Sequence, residues 1–564
     1  MAGYGQPLGG RQPSDRQPIR YAMTASSLLG RPVIGIAALG RLAAFVLIAA
    51  AAAILIRLLN QVAAADLRDL VADRYLQRVA VFTTMQAALS TLLATGLAVP
   101  VARALARQSR FPGRALLLRL FSLPLVMPSL VAIFGVVAAY GQQGALAKLI
   151  ATTGLGNWPS IYGLAGILVA HVFFNLPLAV RLMLPAWQSV PAETWRLAAQ
   201  LGMRSGQIFR LIELPLLRRS LPQIAATIFM LCFVSFAIVL TLGGGPRAST
   251  LEVAIFQAIR FDADLPRAGL LAVVELILCL TAGLFCRGLT RRMDFAAGLG
   301  RPLWRPDADV PAARIGDAFW IVLATLFVGL PEVMLLVDGV RGFTMALPWL
   351  ALLQAAALGL SLSLIAGLGA TFFGFVLAAA AHQPHLLRTG AVGRLIHLVQ
   401  SLAGLLPLAL SPMVLGMGLY LLITDLTDSN AAAILGIILL NGAMAIPFSL
   451  ALLMPAVDRA LQQHDRLCRG LGIAGFDRFR LIDWPSLRPH LATSFALATS
   501  LGLGDLVGIS LFGNPDLRTL SMLLYEQLSA YRMDQAAATA LLLLVLVLIV
   551  YGVIERLVGG KGSV

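Results

Sequence analysis

Long apolar runs alternate with short polar, arginine-bearing ones from residue 41 to residue 555. A helix that crosses a bilayer needs about 20 mostly apolar residues. On that rule the first part of the chain predicts spans near 41–58, 79–103, 116–141, 161–186, 223–243 and 269–287. The second part predicts spans near 318–337, 349–380, 398–424, 432–455, 491–512 and 537–555. Six and six spans make an all-α polytopic membrane protein of about twelve helices. Residues 1–40 read as an N-terminal tail rich in Pro, Gly and Arg. It lacks the early apolar core and small-residue cleavage site of a signal peptide. Residues 41–287 and 317–556 read as two transmembrane repeats. Between them, 288–316 holds Gly298, Gly300, Pro302, Pro306 and Pro311 and is too polar to span, so it reads as a linker. Residues 557–564 form a second tail.

The polar stretches repeat as well as the apolar ones. Trp195-Arg-Leu-Ala-Ala-Gln-Leu-Gly202 and Arg210-Leu-Ile-Glu-Leu-Pro215 return as Asp465-Arg-Leu-Cys-Arg-Gly-Leu-Gly472 and Arg480-Leu-Ile-Asp-Trp-Pro485. The offset is 270 residues, and it also pairs Pro177 with Pro447, Pro185 with Pro455 and Arg218 with Arg488. A register this long is not chance loop composition. Each copy predicts a short helix, a turn at Gly, a second short helix and a Pro where the next long helix begins. Arg196, Ala198, Gly202, Ile212 and Pro215, with Arg466, Gly472, Ile482 and Pro485, mark a loop outside the bilayer that can dock on a partner.

A second pair of loops repeats at offset 269: Gly244 with Gly513, Pro246 with Pro515 and Thr250 with Thr519. Short amphipathic stretches follow, Leu251 to Ile259 and Leu520 to Leu528. They read either as an outer docking surface or gate, or as ordinary turns that start a helix.

Composition agrees with the pattern: 59% of residues are hydrophobic and 12% charged, against about 25% charged in soluble chains. The net charge of +16 follows the positive-inside rule. Arg103, Arg107, Arg110, Arg114 and Arg119 crowd one loop without an acid; the repeated loops and 287–316 are also Arg-rich. These sides face the cytoplasm, so both termini are expected there. Six spans per half make the repeats parallel, related by an axis along the membrane normal. No basic surface with interleaved aromatics points to nucleic acid. Cys232, Cys279, Cys286 and Cys468 have no metal or redox spacing.

The chain has no Gly-x-x-x-x-Gly-Lys-Ser/Thr loop for ATP, no His/Glu/Cys metal cluster and no Gly-x-Ser-x-Gly elbow. It does not read as an enzyme. Acids within apolar spans are costly and mark pathway candidates. Glu275 lies in the sixth span, and Asp505 in the eleventh within Leu501-Gly-Leu-Gly-Asp505-Leu-Val-Gly508. At offset 269, Asp505 pairs with Phe236 and Gly504 with Ser235. Asp505, Ser235 and Glu275 are therefore candidates for a substrate path, the alternative being acids hydrogen-bonded within the bundle.

The repeated loop resembles the EAA loop of bacterial ABC importer permeases. That pattern is Glu-Ala-Ala, three residues, Gly, nine residues, Ile, one residue, Leu-Pro. Ala198, Gly202, Ile212, Leu214 and Pro215 fit it, as do Gly472, Ile482 and Pro485. Trp484 replaces Leu, and Arg196-Leu197 and Arg466-Leu467 stand in place of Glu-Ala. Further stretches are similar to fused, two-repeat thiamine importer permeases: Ala170-His-Val-Phe-Phe-Asn-Leu-Pro177, Ile228-Phe-Met-Leu-Cys-Phe233, Leu242-Gly-Gly-Gly-Pro246 and Leu511-Phe-Gly-Asn514. The resemblance implies an inner-membrane importer permease, with thiamine and its phosphate esters as substrate. It also implies a cytoplasmic ATPase dimer that holds ATP and Mg, and a periplasmic thiamine-binding protein. This chain itself is expected to bind no cofactor and no metal. An iron(III) importer permease and an ion-coupled secondary transporter are the competing readings.

Overall fold

The computed structural model describes residues 31–61, 73–154, 158–289, 305–381, 403–404, 406–424, 429–473 and 475–559. The expected tail before residue 31, most of the linker, and Asp425 and Asp428 lie outside that set. All regular structure among the described residues is helical. The first half holds α1 (Arg31–Gln61), α2 (Arg74–Arg107), α3 (Arg114–Leu120), α4 (Leu123–Val126), α5 (Ser129–Tyr140), α6 (Ala145–Thr153) and α7 (Leu164–Gln188). It continues with α8 (Ala192–Gln200), α9 (Ser205–Ile208), α10 (Leu214–Phe233), α11 (Phe236–Leu242), α12 (Leu251–Arg260) and α13 (Leu265–Leu289). The second half holds α14 (Pro311–Gly342), α15 (Trp349–Ala381), α16 (Leu406–Ala409), α17 (Pro412–Thr424), α18 (Asn430–Leu471) and α19 (Gly475–Arg478). It ends with α20 (Trp484–Leu503), α21 (Val507–Phe512), α22 (Leu520–Ser529) and α23 (Met533–Gly559).

Ten helical runs among the described residues are long and apolar enough to cross a membrane. The other two expected spans appear in pieces. The one near 398–424 is described from 403 and carries α16 and α17. The one near 491–512 covers α20 and α21 with a break between them. Several boundaries move. α1 begins at Arg31, inside the expected tail, with Pro32 in a first turn where its missing N–H is not needed. α13 runs past 287 to Leu289, and α14 starts at Pro311, inside the expected linker. The span expected at 116–141 is α3, α4 and α5, interrupted before Leu123 and again at Met127-Pro128. The span expected at 223–243 begins earlier, at Leu214, and breaks at Val234-Ser235.

Both halves share one packing plan. α2 packs on α7 and α10, as α15 packs on α18 and α20. Small residues let these helices approach. A Cβ at Gly367 would strike Thr499 of α20, and one at Gly374 would strike Ser449 of α18. The first helix of each half crosses over. α1 packs mainly on α15 and α17 of the second half, with Gly40 against the Val376 backbone. α14 packs on α2 and α5 of the first half as well as on α23. Pro331 within α14 offers no N–H to the Phe327 carbonyl four residues before it. Tyr140 at the end of α5 donates its hydroxyl to that carbonyl at 2.8 Å and joins the halves there.

Candidate functional site

The first repeated loop folds as its sequence predicts. α8 ends in a left-handed residue, Gly202 (φ 60°), and the Met203 N–H closes back on the Ala198 carbonyl at 3.0 Å. α9 follows, with the Gln207 side chain accepting from the Arg204 N–H at 2.8 Å. Phe209–Glu213 then forms a π turn, closed by the Leu214 N–H on the Phe209 carbonyl. Pro215 explains its place: it has no N–H for the Leu211 carbonyl, and the helix opens by one residue there. Val190, Trp195, Ala198 and Ile208 pack into a small core that holds the loop in shape.

The second loop repeats the geometry. Gly472 has φ 66°, Ile473 N–H reaches the Cys468 carbonyl at 3.0 Å, and Phe479–Asp483 is a π turn ahead of Pro485. Arg196 and Pro215 are exposed, as is Pro485; Ala198 is buried, and Ile212 and Ile482 are half-buried. The side chain of Arg466 lies outside the described set. Both loops push leucines into solvent that sequence reasoning passed over. Leu197, Leu201 and Leu211 are 55%, 67% and 64% exposed; Leu467, Leu471 and Leu481 are 55%, 64% and 63% exposed. Their recurrence at offset 270 was the available signal. Apolar side chains exposed at matched places on two turns are the kind of surface that marks protein–protein contacts.

Beneath the first loop lies a cluster of charges. Glu213, fully buried at the end of the π turn, receives Arg103 Nε at 2.6 Å, Arg305 Nη2 at 2.7 Å and the Trp187 indole N–H at 3.0 Å. Arg305 also meets Asp307 at 3.2 Å and lies over the Trp195 ring at 4.4 Å. Burial alone would lower the Arg305 pKa, but Glu213 and Asp307 beside it outweigh that and hold it above the ordinary arginine value. Arg107 pairs with Asp307 at 3.1 Å and with Asp317 of α14 at 3.2 Å.

The third site lies where one helix of each half breaks. α10 ends at Phe233 and α11 starts at Phe236; α20 ends at Leu503 and α21 starts at Val507. After the breaks, Gly243 and Gly513 each lie where a Cβ would meet the carbonyl four residues back, of Val239 and Ile509. The register of 270 therefore runs through both breaks. Asp505 pairs with Ser235, and Gly513 with Gly243, correcting the pairing expected at offset 269. The one-residue deletion falls between Gly513 and Thr519. Asp505 accepts from the N–H groups of Val507 at 3.1 Å and Gly508 at 2.8 Å, so its carboxylate restarts the helix. Ser235 flanks α11 without such a bond. Next to Asp505, a Cβ at Gly504 would stand 3.0 Å from Pro128, so this break faces the other half. Glu275 is not brought to the break. It is fully buried in α13, beside Glu252 of α12 and Ser411.

The outer repeat takes the form of two ten-residue helices, α12 and α22, with Thr250 and Thr519 at their N-caps. Thr519 accepts from the Met522 N–H at 3.4 Å. Thr250 is buried, and the Leu251 N–H turns instead to the Thr83 hydroxyl at 3.1 Å. α12 is buried along nearly its whole length, so Gly244, Gly245 and Arg247 are what this loop exposes. Pro515 is exposed in the second copy, and the side chain of Pro246 lies outside the described set.

Two loops of matched geometry and two matched helix breaks repeat in the fold the two-fold plan seen in the sequence. Residues 98–295 match the family of binding-protein-dependent transport system inner membrane components. The Brucella abortus (strain 2308) thiamine transport system permease protein ThiP is 44% identical over 489 residues, 86% of this chain and 88% of the relative. The Escherichia coli (strain K12) ThiP is 42% identical over 491 residues, 86% of this chain and 90% of the relative. The Haemophilus influenzae ThiP is 38% identical over 487 residues, covering 86% and 89%. The chain belongs to the family of binding-protein-dependent transport system inner membrane components, multi-pass permease subunits of ABC importers. It is a transport subunit, not an enzyme. Members of this family work with an ATPase and a binding protein.

Proposed function

We propose that this chain is the permease of an ATP-driven thiamine importer and also passes thiamine phosphate esters. The observation that carries the reading is its identity of 42–44% over 86% of its length with thiamine transport permeases, from loop to loop and through both halves. The coupling loops then seat Arg196, Ala198, Gly202, Ile212 and Pro215, and their mates Gly472, Ile482 and Pro485, on a cytoplasmic ATPase dimer. That dimer holds ATP and Mg; this chain holds no cofactor. The arginine-rich loops support a cytoplasmic position for both termini by the positive-inside rule. A periplasmic thiamine-binding protein docks on the outer face near Gly244 and Pro515. Closure of the ATPase moves the two loops, and the loops swing the halves between inward-open and outward-open states. Substrate binding shifts that equilibrium only by its differential affinity, so hydrolysis supplies direction. The breaks at Ser235 and Asp505 interrupt the helices beside the path, and Asp505 offers a negative charge to a cationic substrate.

The test is uptake of labelled thiamine into vesicles that contain the chain, its ATPase and its binding protein, with iron(III) in parallel. ATP-dependent thiamine uptake is the expected result. Iron uptake would overturn the substrate, and uptake driven by an ion gradient without the ATPase would overturn the mechanism.

A further inference from the structure

The charge cluster under the first coupling loop joins three parts of the molecule that are far apart in sequence. Three cations and three anions meet there: Arg103, Arg107 and Arg305 with Glu213, Asp307 and Asp317. Glu213 and Ser205 belong to the loop, Arg103 and Arg107 to the last turns of α2, and Asp317 to the start of α14 in the other half. Arg305 and Asp307 come from the segment between the halves. Ser205 sits at the centre. Its carbonyl and hydroxyl accept from Arg103 at 3.1 and 3.2 Å, its hydroxyl accepts from Arg107 at 3.2 Å, and it donates to Asp307 at 3.3 Å. Gln108 ties the inter-half segment to α14 by reaching the Ala308 carbonyl at 3.2 Å and Asp317 at 3.0 Å.

Every charge in the cluster is balanced, and all but Arg103 are nearly closed to solvent, so the arrangement is rigid. A movement of the loop displaces Glu213 and Ser205, and neither can move without dragging Arg305 and Asp307. Arg107 grips both Asp307 and Asp317, and so carries the same displacement into α14. α14 in turn packs on α5, whose first residues follow the Pro128 that faces Gly504 at the helix break.

We propose that Arg305 and Asp307 are positioning residues for ATPase coupling: they fasten the first coupling loop to α14 of the opposite half, so that one loop drives both halves. Residues 305–308 are then a mechanical part and not a passive tether. The proposal rests on the reading of residues 192–215 as an ATPase-coupling loop.

The experiment measures thiamine taken up per ATP hydrolysed, in vesicles with the complete transporter. Four chains are compared: wild type, Arg305→Gln, Ser205→Ala, and Arg314→Gln as a control. Arg314 lies on the same side of the molecule in an exposed pair with Asp309. Arg305→Gln is expected to retain the ATPase and its hydrolysis but lose about fivefold or more in thiamine per ATP, the size of an ordinary coupling between sites. Ser205→Ala is expected to lower the ratio less, and Arg314→Gln to leave it unchanged. If Arg305→Gln does not assemble, Ser205→Ala decides, since it removes the three hydrogen bonds of the Ser205 hydroxyl and leaves every ion pair in place. An unchanged ratio in the assembled variants would overturn the fastening role alone. A wild-type chain that binds no ATPase would overturn the coupling-loop reading with it.

Discussion

In the first of the two repeated loops, Glu213 ends the π turn fully buried, with two arginines and a tryptophan on it. In the second, Asp483 ends the same turn 14% exposed and meets Arg478 of its own loop at 3.5 Å. The last turns of α2 carry Arg103 and Arg107, whereas Thr371 to Ala381 of α15 carry no charge. The outward faces nevertheless match, leucine for leucine, to within a few percent of exposure. The difference separates two demands. If the loops dock on the two like subunits of an ATPase, as proposed above, that partner holds the outward faces to one shape. The inner side meets only this chain, so each half is free to be anchored in its own way.

The largest effect expected from breaking the comparison is at Glu213. Glu213→Gln takes the counter-charge from Arg103 and leaves the buried Arg305 with Asp307 alone, a loss of about 3–5 kcal/mol. Asp483→Asn is expected to lower the melting temperature of the detergent-purified protein much less; equal shifts would mean that the two loops are anchored alike. Leu201→Asp and Leu471→Asp address the shared face instead. Both are expected to leave the melting temperature in place and to weaken ATPase co-purification roughly ten- to hundredfold, from about 1.5–3 kcal/mol of leucine burial lost. A large difference between them would show that only one loop docks. Gly202→Ala and Gly472→Ala meet open space and change only the backbone preference. Each is expected to cost about 1–2 kcal/mol in thermal unfolding. The smallest stability change is expected at Asp505→Asn, under about 0.5 kcal/mol, because Asn caps a helix as well as Asp does. Thiamine uptake should nevertheless fall severalfold, and uptake equal to wild type would remove Asp505 from the path.

What was legible in the sequence was whatever is local or repeated. Membrane spans follow from runs of apolar residues, and the coupling turns from a Gly and a Pro that occur twice at one spacing. The break before Leu123 and the one at Pro128 had a local signal too, since Pro124 and Pro128 interrupt that span. The break at Val234-Ser235 had none: no Gly or Pro marks it, and packing fixes it. The charge cluster was out of reach for a different reason. Arg103 and Glu213 are 110 residues apart, and Arg107 and Asp317 are 210 apart. In sequence they are unremarkable loop charges, and Asp307 and Arg305 pass as linker polarity. The matched leucines could have been found, because the same repeat that revealed the glycines carries them.

The crossing of α1 into the second half bears on the order in which the protein is made. α1 is synthesised before α2, yet α15 and α17, on which it mainly packs, follow only after α2 to α14. Until then it has only α13 of its own half to pack on, where Gly269 meets Gln61, and the face meant for α15 and α17 is left to lipid. Its middle suits the wait: Ala49 to Ala53, followed by Ile54, Leu55 and Ile56, offers lipid no polar side chain. Had the halves been separate chains, α1 would have to find its partner by diffusion in the membrane. Joined in one chain, it finds α15 at the effective concentration set by the tether, and the last steps of assembly become intramolecular.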